Sequence, residues 1–599
     1  MSKLKSREEI EEIYKWDLSS LYENDELWEK SYVNVQSAIK NIQEYKGNLF
    51  DSSNVFKQAI ELELELSRNV SRLFTYAKMK QDENTQIADY QAMTARAESL
   101  SFEVEEATAF MTTELLANEY SVIEEYMNED PELKLYEKYF KDLFKKKVHI
   151  LSESEEKLLA QMGEVGSVAQ NAFGMLNNAD LKFPIVEDSN GEKIQLSHGN
   201  FVPTLESSDR LLRKNAFEAY YKVYEDHKNV YAAMLSGNVK KDIFYSKARR
   251  FDTARQAALF ENDIPESVYD HLIEAVHKKL PAMHKYMDIR KRALKVEELH
   301  MYDIYTPIVE NTKIEVSYED AKDLALKALK PLGDRYIDVV EKSFSDKWID
   351  VYENKGKRSG AYSWGSYDSK PYMLLNYHNT LDNAFTLVHE MGHSLHSYLT
   401  RKNQPYVYGN YSIFVAEVAS TTNEALLNHY LIKNEENPKK KLFILNHYLE
   451  QFRGTIYRQT MFAEFERDIH TMVENGEALT EELLSNHYIE LNKKYYGNEM
   501  ISDESIRLEW ARIPHFYYNF YVYQYATGFS AAIALSQRII EEGEAAVADY
   551  LEFLKAGSSQ SPIDILKKAG ADMLSSEPVE NALNLFSDLV DEFERLLFQ

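Results

Sequence analysis

The chain has 599 residues, 44% of them apolar, with 20 glycines, 13 prolines and no cysteine. That is ample for a large core, and the missing thiols exclude disulfide scaffolds, thiolate metal sites and cysteine nucleophiles. A formal net charge of -29 argues against nucleic acid as a partner, because phosphate binding needs clustered lysine and arginine.

The N-terminal stretch MSKLKSREEIEEIYKWDLSSLYE lacks both the apolar segment and the small-residue cleavage site of a secretory signal. No run of eighteen apolar residues occurs in the chain. The expectation is a soluble, cytoplasmic protein without membrane contact. Residues 55–81 and 88–116 carry apolar side chains at mixed spacings of three and four, with charges between, which is the helical period. Similar patterns fill 206–250, 265–295, 440–475 and 529–556, and no fixed-period repeat is present.

Two stretches interrupt the helices. LKFPIVEDSNGEKIQLS, 181–197, has two extended runs around Asn190-Gly191 and predicts a hairpin. It places a boundary near residue 200, between an N-terminal helical domain (1–200) and a catalytic domain (201–599). GAYSWGSYDSKPYMLLNY, 360–377, predicts two short strands joined by a turn. An edge strand there would cover the next helix or pair with the backbone of an extended peptide.

LDNAFTLVHEMGHSLHSYLT, 381–400, holds three of the chain's 16 histidines. Thr380 and Asp382 supply helix-start chemistry, and Gly392 is the one interruption before Leu399. His389 and His393 are i and i+4, one turn apart on one face and about 6 Å along the axis. Two imidazoles so placed can converge on one cation, and Glu390 can reach a water beside it. This is the H-E-x-x-H arrangement for zinc with a glutamate general base. His396 stands about 10 Å along the axis from His389, too far for the same ion, and is assigned to packing or to support of a ligand. A catalytic zinc needs a third protein ligand. Glu417, in the apolar context FVAEVAST, is the candidate, since a carboxylate on a buried helix is costly unless paired or metal-bound. Glu424 lies two turns on and could orient a ligand histidine.

HEMGHSLH followed by AEVASTTNEALL, with YKWDLSSLY near the N-terminus, PYMLLNY before the histidine helix and HFYYNFYVYQYATG near the C-terminus, resembles the oligoendopeptidase F branch of the thimet-oligopeptidase family of zinc metallopeptidases. The resemblance spans essentially the full length. It implies one zinc held by His389, His393 and Glu417, with Glu390 as general base. The implied fold is mostly α: a two-part helical shell around a deep substrate channel, with a zincin-type active-site helix and a small β-hairpin or sheet beside it. It also implies oligopeptide substrates, with folded proteins excluded.

The run HFYYNFYVYQY, 515–525, reads in two ways. Tyr518, Tyr521 and Tyr525 recur at helical spacing, and such stripes are usually core. Phenol and imidazole groups also stabilise an oxyanion. In the resembled family a histidine and two tyrosines of this region do so, which implies His515, Tyr518 and Tyr525; the local spacing leaves Tyr517, Tyr521 and Tyr523 open. The leading expectation is an endopeptidase whose zinc-held water is activated by Glu390. The alternatives are a dipeptidyl carboxypeptidase-like exopeptidase, for which no cation for the substrate's terminal carboxylate is identified, and a non-catalytic helical scaffold, against which the intact His389, Glu390 and His393 set speaks.

Overall fold

The structure, a computed structural model, describes residues 4–309 and 314–599. The chain forms two compact units, each built from three stretches. The first comprises Met1–Val148, Ile314–Tyr430 and Leu535–Gly570, the second His149–Lys313, Leu431–Ala534 and Ala571–Gln599. This division differs from a single cut at residue 200. The predicted hairpin is present, Ile185–Glu187 against Lys193–Gln195 with Val186 opposite Ile194. It is no linker, however. Asn215 donates to the Glu187 carbonyl at 3.0 Å, and Asp209, which caps the helix Arg210–Glu225, accepts from the Ser189 N–H at 2.6 Å. The hairpin is thereby tied to a helix of its own unit.

In the first unit the helical pattern of 55–81 becomes Ser53–Glu83, started by Ser52 accepting the Val55 N–H. That of 88–116 becomes Ala88–Ala117. Phe56, Ile60, Leu66 and Leu73 on the first helix and Leu100, Val104, Met111 and Leu115 on the second are buried in one core cluster. Each such side chain removed from water contributes about 1.5–3 kcal/mol. Apolar burial, not intrinsic propensity, therefore decides that these long polar-rich helices form.

The same cluster takes in Trp16, Tyr372 and Leu374, which links it to a three-stranded sheet. The central strand Tyr372–Leu374 pairs in parallel with Ile349–Asp350 and antiparallel with Tyr362–Trp364. Tyr362–Trp364 is thus an edge strand. The central strand is wholly buried. Its Tyr372 hydroxyl donates to the Asp17 carbonyl at 2.7 Å and lies 2.6 Å from Ser20 Oγ, while Trp16 meets the Tyr372 ring edge-on at 6.0 Å. The N-terminal YKWDLSSLY segment is accordingly a strap over the sheet. The edge strand is tied down separately, by Tyr362 donating to the buried Asp82 at 2.9 Å.

The second unit is helical apart from the hairpin and a short parallel pair, Leu299–His300 with Met500–Ile501. The predicted helical stretches 265–295 and 440–475 each hold two helices. Glu266–Lys278 runs into Leu280–Leu294, and Pro438–Phe452 passes through a π-turn, Arg453–Tyr457, into Arg458–Glu474. The turn keeps Arg453 buried and paired with Glu450 at 2.6 Å, and Glu450 also takes Arg290 at 3.1 Å. Among the described residues no helix is long and apolar enough to cross a membrane.

Candidate metal centre

The histidine segment is one helix, Leu381–Asn403, begun by the Thr380 hydroxyl accepting the Asn383 N–H. A second helix, Ile413–Asn434, crosses it in the same unit. The crossing is close because residue 392 is glycine. A Cβ there would meet Ser420 Cα at 2.5 Å and the Ala419 carbonyl oxygen at 2.7 Å. Asn423 adds a polar tie, donating to the Val388 carbonyl at 3.2 Å and accepting from the Tyr336 hydroxyl at 3.0 Å.

The crossing brings three donors together. His389 Nε2 lies 3.3 Å and His393 Nε2 3.4 Å from Glu417 Oε2, and the ligand atoms of the three residues fall within 4.8 Å of one another. Tetrahedral zinc with ligand bonds of about 2.0–2.1 Å separates its donors by about 3.3–3.4 Å. The two histidine–glutamate gaps match that spacing, so the residues fit the ion. His389 Nδ1 is 2.7 Å from Glu424 Oε1. With Nδ1–H donating there, the Nε2 lone pair is left facing Glu417, the usual arrangement of a ligand histidine and its supporting carboxylate.

The electrostatics favour a cation. Burial works against charge on His389, yet Glu417 and Glu424 raise its pKa well above the ordinary histidine value. Glu417 shows the reciprocal effect. Against the cost of leaving water, His389 and His393 hold its carboxyl far below the usual range. The sequence argument expects a buried Glu417, and the structure differs: its side chain is 48% exposed. The helix around it is apolar on most faces, but Glu417 and Glu424, seven residues apart, share the polar one.

Glu390, on the helix of His389 and His393, is only 7% exposed. Desolvation raises its pKa, the two imidazoles oppose the rise, and its carboxylate accepts the backbone N–H of Ser363 on the edge strand. Ser363 Oγ also lies 2.7 Å from Ser394 Oγ, so the strand is bonded to the helix at Glu390 and again one turn further on. His396 is a packing residue. It is buried, stacks on Tyr411 at 3.7 Å and contacts Phe553 at 5.1 Å, and burial pushes its pKa down to about 3.

The aromatic run belongs to the second unit and is not one helix. It passes from a short turn, Pro514–Tyr517, through irregular backbone to the helix Tyr523–Glu542. Asn519 and Phe520 both have positive φ, 45° and 58°, which breaks the supposed helical stripe. Tyr517 stacks on Phe173 at 4.5 Å and Tyr523 packs on Tyr269 at 5.0 Å; both rings are core. Tyr518, Tyr521 and Tyr525 surround His515 instead, with ring centroids 5.8, 6.2 and 5.9 Å away. The Tyr525 hydroxyl is 3.5 Å from His515 Nε2. Burial, aided by Arg458, lowers the His515 pKa, which favours the neutral ring.

The sequence reading does not single out Gly392, although a signal exists. Glycine inside a helix costs about 1 kcal/mol relative to alanine, so its presence in an unbroken helix points to a close approach. Gly392→Ala gains that propensity, but its methyl meets backbone, which cannot rotate away, and overpacking costs about 1–3 kcal/mol or more. The clash should win. The variant is expected to melt at lower temperature and to bind metal more weakly in a competition titration with a chromogenic chelator; a higher melting temperature with unchanged affinity would contradict this crossing. Ser363, by contrast, acts through its backbone and left no signal in the sequence.

The family model described as Peptidase family M3 matches residues 204–585, and that described as Oligopeptidase F matches 114–183. The chain belongs to peptidase family M3. It is 51% identical over 598 residues to the oligopeptidase PepF of Bacillus subtilis (strain 168), covering 100% of this chain and 89% of that protein. It is 46% identical to the group B oligopeptidase PepB of Streptococcus agalactiae, covering 99% and 98%. Among solved structures it is similar to an oligoendopeptidase F from Enterococcus faecium, at 41% identity and a TM-score of 0.74 over 96% of this chain and 99% of that one. A Chlamydophila abortus peptidase gives 36% identity and a TM-score of 0.93 over 99% and 100%. The metal helix of this M3 chain lies inside the matched region, as does the aromatic run.

Proposed function

We propose that this M3 peptidase is a zinc-dependent endopeptidase that hydrolyses internal bonds of short, unstructured oligopeptides in the cytoplasm. The observation that carries the proposal is the spacing of His389, His393 and Glu417, which fits a tetrahedral ion, with buried Glu390 on the helix of the two histidines. The names of the relatives, oligopeptidase and oligoendopeptidase, support the substrate class.

His389, His393 and Glu417 would hold the zinc, and Glu424 would keep His389 in the metal-binding tautomer. A bound zinc supplies Lewis acidity, making a water more acidic and polarising the scissile carbonyl. Glu390 takes the proton of the attacking water as general base and returns it to the departing amine. The edge strand Tyr362–Trp364 offers backbone groups that pair with an extended peptide with little regard to its side chains. His515, Tyr518 and Tyr525 are assigned to the oxyanion.

Glu417→Ala should lose metal and activity together, measured as zinc per chain after dialysis and as turnover of a quenched fluorescent peptide. Full occupancy with full activity would move the third ligand elsewhere, with Glu424 next in line. The reaction class is tested by mass spectrometry of the products of a peptide of about ten residues blocked at both ends. Internal cleavage, abolished by chelator and restored by zinc, is expected. Products shortened only by terminal dipeptides from an unblocked peptide, with the blocked one intact, would make it an exopeptidase.

A further inference from the structure

The loop between His515 and the helix Tyr523–Glu542 is held in a conformation that its residues do not favour. Asn519 and Phe520 are consecutive non-glycine residues with φ of 45° and 58°; asparagine enters this region readily, but a phenylalanine does so only where the surroundings impose it. The imposing groups are buried and belong to the same unit. Glu466 Oε1 accepts the Phe520 N–H at 2.7 Å. At the other end of the turn, Asn238 Nδ2 donates to the Phe516 carbonyl at 3.2 Å and also reaches Asp242 Oδ2 at 3.2 Å. Asp242 Oδ2 stands 3.5 Å from His470 Nε2, and His470 Nδ1 is 2.8 Å from the Glu466 carbonyl. The Phe520 ring lies against His470 at 4.5 Å and Tyr269 at 5.8 Å. Asn238, which is bonded to Asp242, and Glu466 thus grip the two ends of residues 517–519, and His470 packs between them with its Nε2 left without a hydrogen bond.

Glu466 is the costly member. It is fully buried, and its Oε2 has no hydrogen-bond partner among the described residues. Burial pushes its pKa up to about 7. A carboxyl group so placed is expensive, and an apolar side chain of the same size would fill the space more cheaply. What an apolar side chain lacks is an acceptor for the Phe520 N–H.

We propose that Glu466 is a positioning residue: by clamping the Phe520 N–H it fixes the left-handed turn that sets Tyr525 and His515 side by side. The proposal rests on the reading that His515 and Tyr525 serve the oxyanion. An interaction of that kind is made in the transition state and not with the flat substrate, so a tetrahedral analogue should sense it and a substrate-like ligand should not. Inhibition constants are also independent of the fraction of folded enzyme, which a purely structural role would change.

The test compares Glu466→Leu, Glu466→Gln and Tyr525→Phe in the zinc-loaded full chain. Inhibition by a phosphinic peptide is measured beside inhibition by a non-cleavable peptide with a reduced amide bond. Glu466→Leu is expected to weaken the phosphinic peptide by about tenfold or more and to lower kcat/KM by a similar factor. The reduced peptide and the zinc content should stay within about twofold of wild type. Glu466→Gln keeps an acceptor for the Phe520 N–H and should restore both values to within about threefold. If Glu466→Leu binds the phosphinic peptide as wild type does while Tyr525→Phe weakens it, the clamp is wrong and the oxyanion reading stands. If Tyr525→Phe also leaves it unchanged, the oxyanion reading falls and the clamp with it. Should Glu466→Leu give no cooperative melt, Asn238→Ala, which frees the Phe516 end, takes its place under the same two outcomes.

Discussion

Glu390→Gln should leave the protein loaded with metal and almost inert. The substitution keeps the size of the side chain and an oxygen that can accept the Ser363 N–H, so the buried packing around it survives. It removes the one property that the mechanism requires, a basic oxygen. In the native site desolvation raises the Glu390 pKa while His389 and His393 restrain it, which makes it a stronger base than an exposed carboxylate. General base catalysis contributes about 10²–10⁴-fold, and a loss at least that large in kcat is expected, with zinc per chain unchanged. Glu417 cannot stand in, because its carboxylate is committed to the two imidazoles. Turnover within about threefold of wild type, with metal bound, would remove Glu390 from the role.

Tyr525→Phe should have the second-largest effect and a different kinetic signature. The change deletes one hydroxyl, 3.5 Å from His515 Nε2, and almost no volume. Losing one donor to a developing oxyanion costs about 10²–10³ in turnover. An interaction absent from the ground state lowers kcat and kcat/KM equally, so KM should hardly move, and melting temperature and zinc content should stay near wild type. Tyr523→Phe is the control, since that ring sits in the core against Tyr269; it should leave kcat within about threefold. A rise in KM alone at Tyr525 would make the hydroxyl a substrate contact. A fall in stability alone would return the aromatic run to the core.

The helices and the histidine pair are legible in the sequence because both follow from pitch. Apolar spacing of three and four marks 55–81 and 88–116, and a spacing of four sets His389 over His393. Glu417 was reachable too, though by a premise that the structure replaces, since the carboxylate is half exposed and faces the imidazoles across a helix crossing. That crossing depends on Gly392, and a contact between two helices has no local period to betray it. The aromatic run shows the opposite failure. Tyr518, Tyr521 and Tyr525 have helical spacing without a helix, because buried Asn238 and Glu466, from two helices distant in sequence, hold the ends of the turn and override local preference at Phe520. The boundary near residue 200 rested on a hairpin that is bonded to a helix of its own unit, and compactness in space is not ordered along the chain.

The strap formed by Trp16, Asp17 and Ser20 can be completed only late in synthesis. The bond from Tyr372 to the Asp17 carbonyl joins residues 355 apart in sequence, and contacts of such separation make folding slow because the intervening chain must be ordered first. The strap finds some partners early, Trp16 Nε1 donating to Glu83 at 2.7 Å and Arg72 to the Leu21 carbonyl at 2.8 Å, but the central strand follows only more than half the chain later. Through that interval the face of Trp16 that meets the Tyr372 ring waits uncovered, an exposure that invites chaperone binding or aggregation. The sheet itself is drawn wholly from residues 349–374, so its tie to the strap is the last to form. A chain arrested before about residue 370 would therefore hold the strap by its bonds to Glu83 and Arg72, without the bond from Tyr372.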